Sequence, residues 1–230
     1  VITSRDVSVV IPTLPEREWL LEAAVRSVWA NTARPATIIV HIDKHRAGAH
    51  EARNAALRKV TTPWVAFLDD DDLFHPDHLA TLIDGANRSG ADLIGSYPQS
   101  DPPGLPDALT CCHKGIPITG PVNIPWGSDQ LDHFDARKGR ICDHCSTARG
   151  SFIMVTNLVR TEMVREVGGF PAPGSMGDGF AGSTAEEYLF MLALLDAGAK
   201  FHHVTGCRTW TYRGAPRRAQ LTELHERGEL

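Results

Sequence analysis

At 230 residues, with 42% hydrophobic and 22% charged side chains, the chain has ordinary globular composition and is long enough for one large domain or two small ones. Its formal charge of −5, from 23 basic and 28 acidic residues, argues against a general polyanion binder and makes a nucleic-acid partner unattractive. No apolar run approaches the roughly eighteen residues of a spanning helix, so no transmembrane segment is expected.

Five cysteines are an odd number, and four of them cluster, which points to a reducing, cytoplasmic setting rather than a disulfide framework.

Val7 to Thr13 is a β-rich run closed by Pro12, as expected of a buried first strand. Glu16 to Asn31 places Trp19, Leu20, Ala23, Ala24, Ser27 and Val28 at helical spacing. A second strand, Thr37 to Asp43, ends on a carboxylate, and Gly48 to Val60 is rich in helix formers. Pro63 to Leu68, Pro76 to Ser89 and Ala91 to Tyr97 continue as strand, helix and strand. Such alternation predicts an α/β fold with a parallel sheet and right-handed crossovers.

From Pro98 to about Arg149 the period is lost and Pro and Gly recur, the texture of an irregular insertion. Ser151 to Thr156 then alternates like a strand, and Arg160 to Val167 reads as a short helix stopped by Gly168 and Gly169. Pro171 to Ser183 is loop-like, and Ala185 to Ala197 is a strong helix ending at Gly198. Two short strands, Lys200 to Thr205 and Cys207 to Tyr212, close the pattern.

The chemistry concentrates where the third strand stops, at Asp69, Asp70, Asp71 and Asp72. Four adjacent carboxylates repel one another and need water or a cation to compensate them. Their hard oxygens suit Mg²⁺ or Mn²⁺, and ligands of open α/β sheets collect at the carboxyl ends of strands. The plainer reading is a solvated acidic turn, with Asp72 or Asp77 capping the next helix.

Five stretches in order resemble one family: Val9-Val-Ile-Pro-Thr13, Gly48 with Ala52-Arg53-Asn54-Ala55, Phe67-Leu-Asp69 with Asp71-Asp72, Val167-Gly-Gly-Phe170, and Glu186-Glu187-Tyr188 with Gly198 downstream. The chain is similar over residues 7 to 213 to the inverting nucleotide-sugar glycosyltransferases of family 2. That resemblance implies a GT-A fold, a Rossmann-like, mostly parallel sheet flanked by helices. Residues 1–97 would be the nucleotide-sugar-binding half. Residues 98–230 would form the acceptor-binding half with insertion 98–150, all in one merged domain.

By the same resemblance, Pro12, Thr13, Asp43, Arg53, Asp69 and Asp70 would line the donor pocket. Asp71 would hold Mn²⁺ or Mg²⁺ on the diphosphate, and Glu187 would be the catalytic base. The donor implied is a nucleotide sugar, commonly a uridine diphosphate sugar, and the acceptor a hydroxyl of a glycan, protein or lipid. Two departures stand out. Lys44-His45-Arg46 follows Asp43 in place of a Gly-Ser turn, and Tyr212-Arg213 runs into Gly-Ala-Pro, leaving His202, His203, His225 or water to complete a metal shell.

These residue types suit the reaction independently. A cation neutralises a departing diphosphate without a proton donor, while a carboxylate on the opposite face takes the acceptor's proton, giving inversion in one displacement. An inactive nucleotide-sugar or glycan binder on the same fold is the alternative. A nucleotidyltransferase is disfavoured by Thr-Leu-Pro-Glu-Arg after Pro12, where a Gly-rich triphosphate loop belongs.

Cys111-Cys112-His113 and Cys142-Asp-His144-Cys145 add a separate expectation. The second has the spacing that grips tetrahedral zinc, so Cys111, Cys112, Cys142 and Cys145 are candidate structural ligands, with free thiols as the alternative.

Overall fold

The computed structural model describes residues 1–100, 110–111, 116–117, 157–172, 185–212, 219 and 222–229. Strand β1 (Val7–Thr13) leads through a 3-10 turn at Pro15–Arg17 into helix α1 (Glu18–Trp29). Then follow β2 (Thr37–Ile42), α2 (Ala49–Leu57), β3 (Trp64–Phe67), the two-residue β4 (Leu73–Phe74), α3 (His78–Ser89) and β5 (Leu93–Ser100). A small antiparallel pair, β6 (Thr110–Cys111) and β7 (Ile116–Pro117), precedes β8 (Leu158–Arg160), α4 (Thr161–Glu166), α5 (Ala185–Asp196) and β9 (Phe201–Tyr212).

The main sheet has the order β2-β1-β3-β8-β5-β9-β4. Strands β2, β1, β3, β5 and β9 run in one direction, while β8 and β4 run against it. The expectation of a mostly parallel α/β sheet is therefore borne out, with one correction. Strict alternation of strand and helix gave no sign that a strand from far downstream would insert reversed between β3 and β5.

Period-two alternation on β1 and β3 decides which helices go where. Val7, Val9, Ile11, Trp64, Ala66 and Leu68 face a core layer with Ala24 and Val28 of α1 and Leu79, Leu82 and Ile83 of α3. Val10, Val65 and Phe67 point the other way, against Ala56 and Leu57 of α2, Val164 of α4, and Phe190, Met191 and Leu194 of α5. Burying each large side chain contributes roughly 1.5–3 kcal/mol, so both helical layers are held firmly to the sheet.

Element bounds contract by one to three residues at several ends relative to the sequence pattern, as fraying terminal turns usually do. Two short strands were expected around Gly206, but β9 is continuous, with register shifts opposite Tyr97. The strand expected over 151–156 lies outside the described residues. So do Cys112, Cys142 and Cys145, and of Cys111 only the backbone, in β6, is described.

Helix α3 corrects the capping expectation. Asp77 stands at the N-cap position without a side-chain cap bond. Instead Asn31, buried just past α1, accepts the Leu79 N–H at 3.0 Å and donates to Ser27 O at 3.0 Å. One carboxamide thus closes the end of α1 and opens α3.

Candidate active site

The carboxyl ends of β1, β2 and β3 meet, because parallel neighbours finish on the same edge. Asp43 N–H donates to Thr13 O at 2.8 Å, and Thr13 Oγ1 donates to Asp70 Oδ2 at 2.6 Å. Past Leu68 the chain turns on itself, with Asp72 N–H donating to Asp69 O at 3.1 Å. This turn gathers Asp69, Asp71 and Asp72 so that one carboxylate oxygen from each lies within 4.8 Å of the others. Asp70 points elsewhere, into the protein, and both it and Asp72 are 2% exposed.

Arg17 reaches the same turn from the 3-10 segment after β1. Its Nη2 lies 2.7 Å from Asp70 Oδ1 and 2.7 Å from Asp71 Oδ2. Burial pushes the Asp70 carboxyl up to about 6, against the pull of Thr13 and Arg17, and the charges of Asp71 and Asp69 add to the rise. Asp43 goes the other way. Burial works to raise it, but the N–H groups of Ala47, Gly48 and His45 together outweigh burial and hold it below the ordinary range. Gly48 N–H donates to Asp43 Oδ2 at 3.0 Å, and Gly48 adopts φ 103, a conformation that suits glycine.

Arg53, on the buried side of α2 and 4% exposed, ties the turn to α5. Its Nη1 donates to Glu186 Oε1 at 2.6 Å, and its Nη2 donates to both Asp69 Oδ1 at 2.8 Å and Glu187 Oε1 at 3.0 Å. Burial opposes the Arg53 charge, yet Asp69, Glu187 and Glu186 more than compensate and hold its proton more tightly than usual. Glu186 is raised by its own burial despite Arg53 and His50, whose Nδ1 lies 3.8 Å from Glu186 Oε2.

Phe170 supports this arginine. The Arg53 Cζ sits 5.3 Å from its ring centroid, and the ring stacks on Phe190 at 4.1 Å and meets Phe67 edge-on at 5.2 Å. Phe170 is itself fixed by Asn54, one residue beyond Arg53. Asn54 Nδ2 donates to Phe170 O, and Phe170 N–H donates to Asn54 Oδ1, each at 2.8 Å.

The structure therefore brings together Thr13, Arg53, Asp69, Asp70, Asp71 and Glu187, with Pro12 next to Thr13 at the end of β1 and Asp43 bonded to its backbone. Sequence reasoning gave no role to Arg17, Glu186 or His50. Arg17 lay at the start of the stretch read as a helix and in one noted for its lack of glycines, and no local pattern reports a contact between residues far apart in the chain.

The donor chemistry of Asp69, Asp71 and Asp72 fits a hard divalent ion, since three clustered carboxylates are oxygen ligands of the kind Mg²⁺ and Mn²⁺ prefer. No histidine joins this group among the described residues. His202 packs near Gly85 of α3, its basicity reduced by burial and by Arg88, and His225 stacks on Trp19 at 4.6 Å. No helix among the described residues is long and apolar enough to cross a membrane.

The family model for glycosyl transferase family 2 matches residues 33–110, which hold β2, α2, the acidic turn and α3. No curated protein matches the chain by sequence. Among solved structures, Staphylococcus aureus TarS 1–349 superimposes with a TM-score of 0.59 at 14% identity over 95% of this chain, which spans 63% of that one.

The Pyrobaculum calidifontis mannosyltransferase PcManGT, solved with GDP-Man and Mn²⁺, gives 0.60 at 14% identity over 98% of this chain and 63% of its own. Mycobacterium tuberculosis glucosyl-3-phosphoglycerate synthase, solved with Mn²⁺, UDP-Glc and phosphoglyceric acid, gives 0.57 at 17% identity over 97% of this chain and 80% of its own. At such identities the likeness is one of fold. The family that the motifs resemble is the one whose model matches residues 33–110, and the fold is the one these solved glycosyltransferases share.

Proposed function

We propose that this chain is a metal-dependent, inverting glycosyltransferase that moves a sugar from a nucleoside diphosphate, with a uridine diphosphate sugar as donor, to an acceptor hydroxyl. One observation carries the reading. A single nitrogen, Arg53 Nη2, bonds both Asp69 of the acidic turn and Glu187 at the start of α5, so the two acidic centres that the reaction needs share one site. The neighbours solved with UDP-Glc or GDP-Man and Mn²⁺ support it by analogy of fold.

In this reading Asp69, Asp71 and Asp72 would hold the divalent ion, which when bound supplies positive charge for the departing diphosphate. Pro12, Thr13 and Asp43 shape the donor pocket. Thr13 and Asp43 act through backbone and turn geometry, since their side chains already bond Asp70 and the Gly48 N–H. The acceptor oxygen attacks the anomeric carbon as the bond to the diphosphate oxygen breaks. Glu187 takes the acceptor's proton, and for that it exchanges its Arg53 partner for the acceptor hydroxyl.

That same ion pair favours a second reading, a nucleotide-sugar binder without turnover, because a carboxylate held by a guanidinium is a weaker base. Incubation with UDP-sugars and GDP-mannose in Mn²⁺, followed by assay of released nucleoside diphosphate, separates the two. Release that is lost in Glu187→Gln supports transfer, whereas binding without any release makes the chain a binder.

A further inference from the structure

We propose that Arg17 is a built-in counter-cation of the acidic turn, which competes with the divalent ion for Asp71 and so sets how tightly that ion binds. The inference rests on the metal reading above and deepens it. Two arginines reach into the group formed by Asp69, Asp71 and Asp72: Arg53 takes Asp69, and Arg17 takes Asp71.

The Arg17 contact is not the forked pairing that a guanidinium usually makes with a carboxylate. One nitrogen, Nη2, lies 2.7 Å from an oxygen of Asp70 and 2.7 Å from an oxygen of Asp71. That nitrogen is buried, and its N–H bonds align with neither oxygen well enough to count as hydrogen bonds. It acts by charge placed between two acids, as a small cation does.

The two acids differ in exposure. The Asp70 side chain is 3% exposed and also bonded to Thr13, so it is committed to the protein side. Asp71 is 15% exposed and belongs both to the Arg17 pair and to the ion-holding group. Arg17 itself is 29% exposed as a side chain and sits on a 3-10 turn rather than inside a helix, so it borders solvent although its Nη2 is buried. An entering ion must therefore draw Asp71 away from Arg17, and the loss of that pairing is subtracted from the ion's affinity.

The test is Mn²⁺ binding without nucleotide, followed by the electron paramagnetic resonance of free Mn²⁺, with folding of every variant checked by circular dichroism. Arg17→Gln should bind Mn²⁺ about tenfold more tightly than wild type, the effect expected on removing a partly buried competing charge. Arg17→Lys, which keeps a cation there, should stay near wild type. In chelator Arg17→Gln should melt below wild type, and Mn²⁺ should raise its melting temperature by more than it raises that of wild type. If Gln is not tolerated at this position, Arg17→Met keeps the packing of the stem and answers the same question. Unchanged or weaker Mn²⁺ affinity in a folded Arg17 variant, with wild-type binding still abolished by Asp71→Asn, overturns this inference alone. Wild-type protein that binds no Mn²⁺ overturns the metal reading and this inference together.

Discussion

Asn54 and Phe170, 116 residues apart, are joined by two reciprocal hydrogen bonds of 2.8 Å, and Gly169 between them and the α4 end has no room for a side chain. A Cβ at Gly169 would lie 2.3 Å from Asn54 Oδ1, and its φ of 82 is itself a glycine conformation. Asn54→Ala should cost about 2–3 kcal/mol in urea unfolding through the two lost bonds. Gly169→Ala should cost at least as much. In the Asn54→Ala background, however, the obstacle is gone, and Gly169→Ala should add only the roughly 1–2 kcal/mol of left-handed backbone. Additive costs in this cycle would show that the two residues are not one clasp.

Arg53 answers three carboxylates, so its removal leaves negative charge in a buried place. Arg53→Met should destabilise the fold by about 3–5 kcal/mol. Arg53→Lys keeps the charge but cannot reach Glu186 through one nitrogen and Asp69 and Glu187 through another, and should fall between the two. Chemical denaturation settles it, and a Met variant as stable as wild type would refute the account.

Glu187→Gln should lower sugar transfer by about 10²–10⁴-fold, the usual share of a general base, with donor binding retained. Asp71→Asn should lose both transfer and its dependence on Mn²⁺. Turnover within a few-fold of wild type in either variant, measured with saturating donor, removes that residue from the role proposed.

Asp70 gives a pH signature. Burial, the main cause, pushes its carboxyl up to about 6 in the folded chain from an ordinary 3.8. A carboxyl raised by folding contributes stability that is whole below its unfolded pKa and is lost as pH rises through the folded one. From about pH 4 to about pH 7 the chain should therefore lose up to about 3 kcal/mol from this residue. Glu186, also raised by burial, adds in the same direction. Unfolding free energies in chelator should fall with pH more steeply in wild type than in Asp70→Asn. Parallel curves would contradict the assignment.

Asn31→Ala should cost about 1 kcal/mol, the value of a lost helix cap. Asp77→Ala should stay within about 0.5 kcal/mol although Asp77 occupies the formal N-cap position. Thermal melts of the two variants distinguish them, and equal losses would return the cap to Asp77.

Much of this was legible beforehand, for identifiable reasons. Strands β1, β2 and β3 announced themselves because they are mostly apolar and run into Thr13, Asp43 and Asp69, so the edge carrying the site could be read from where hydrophobicity stops. Helix α5 was legible from composition and from Gly198. The reversed strand β8 was not, because three residues, Leu158–Arg160, carry no period of their own. Roles within the acidic run were equally hidden. Four identical side chains give no local cue that Asp70 turns to Thr13 and Arg17 while Asp69, Asp71 and Asp72 gather into one group. Arg17, Glu186 and Asn31 act across long sequence separations, and only tertiary geometry reveals such pairings.

The two-residue strand β4 has a consequence for the acids that precede it. It starts at Leu73, directly after Asp72, and its Leu73 and Phe74 pair with Thr211 and Trp210 at the far margin of the sheet, while Phe74 N–H is also held by Ser27 Oγ at 3.0 Å. The mutual repulsion of the aspartates is thus restrained mechanically, by main-chain ladders moored at either side. Cutting the chain short before residue 210 would unmoor one side and let the like charges spread apart, even though no residue of the acidic turn had been touched.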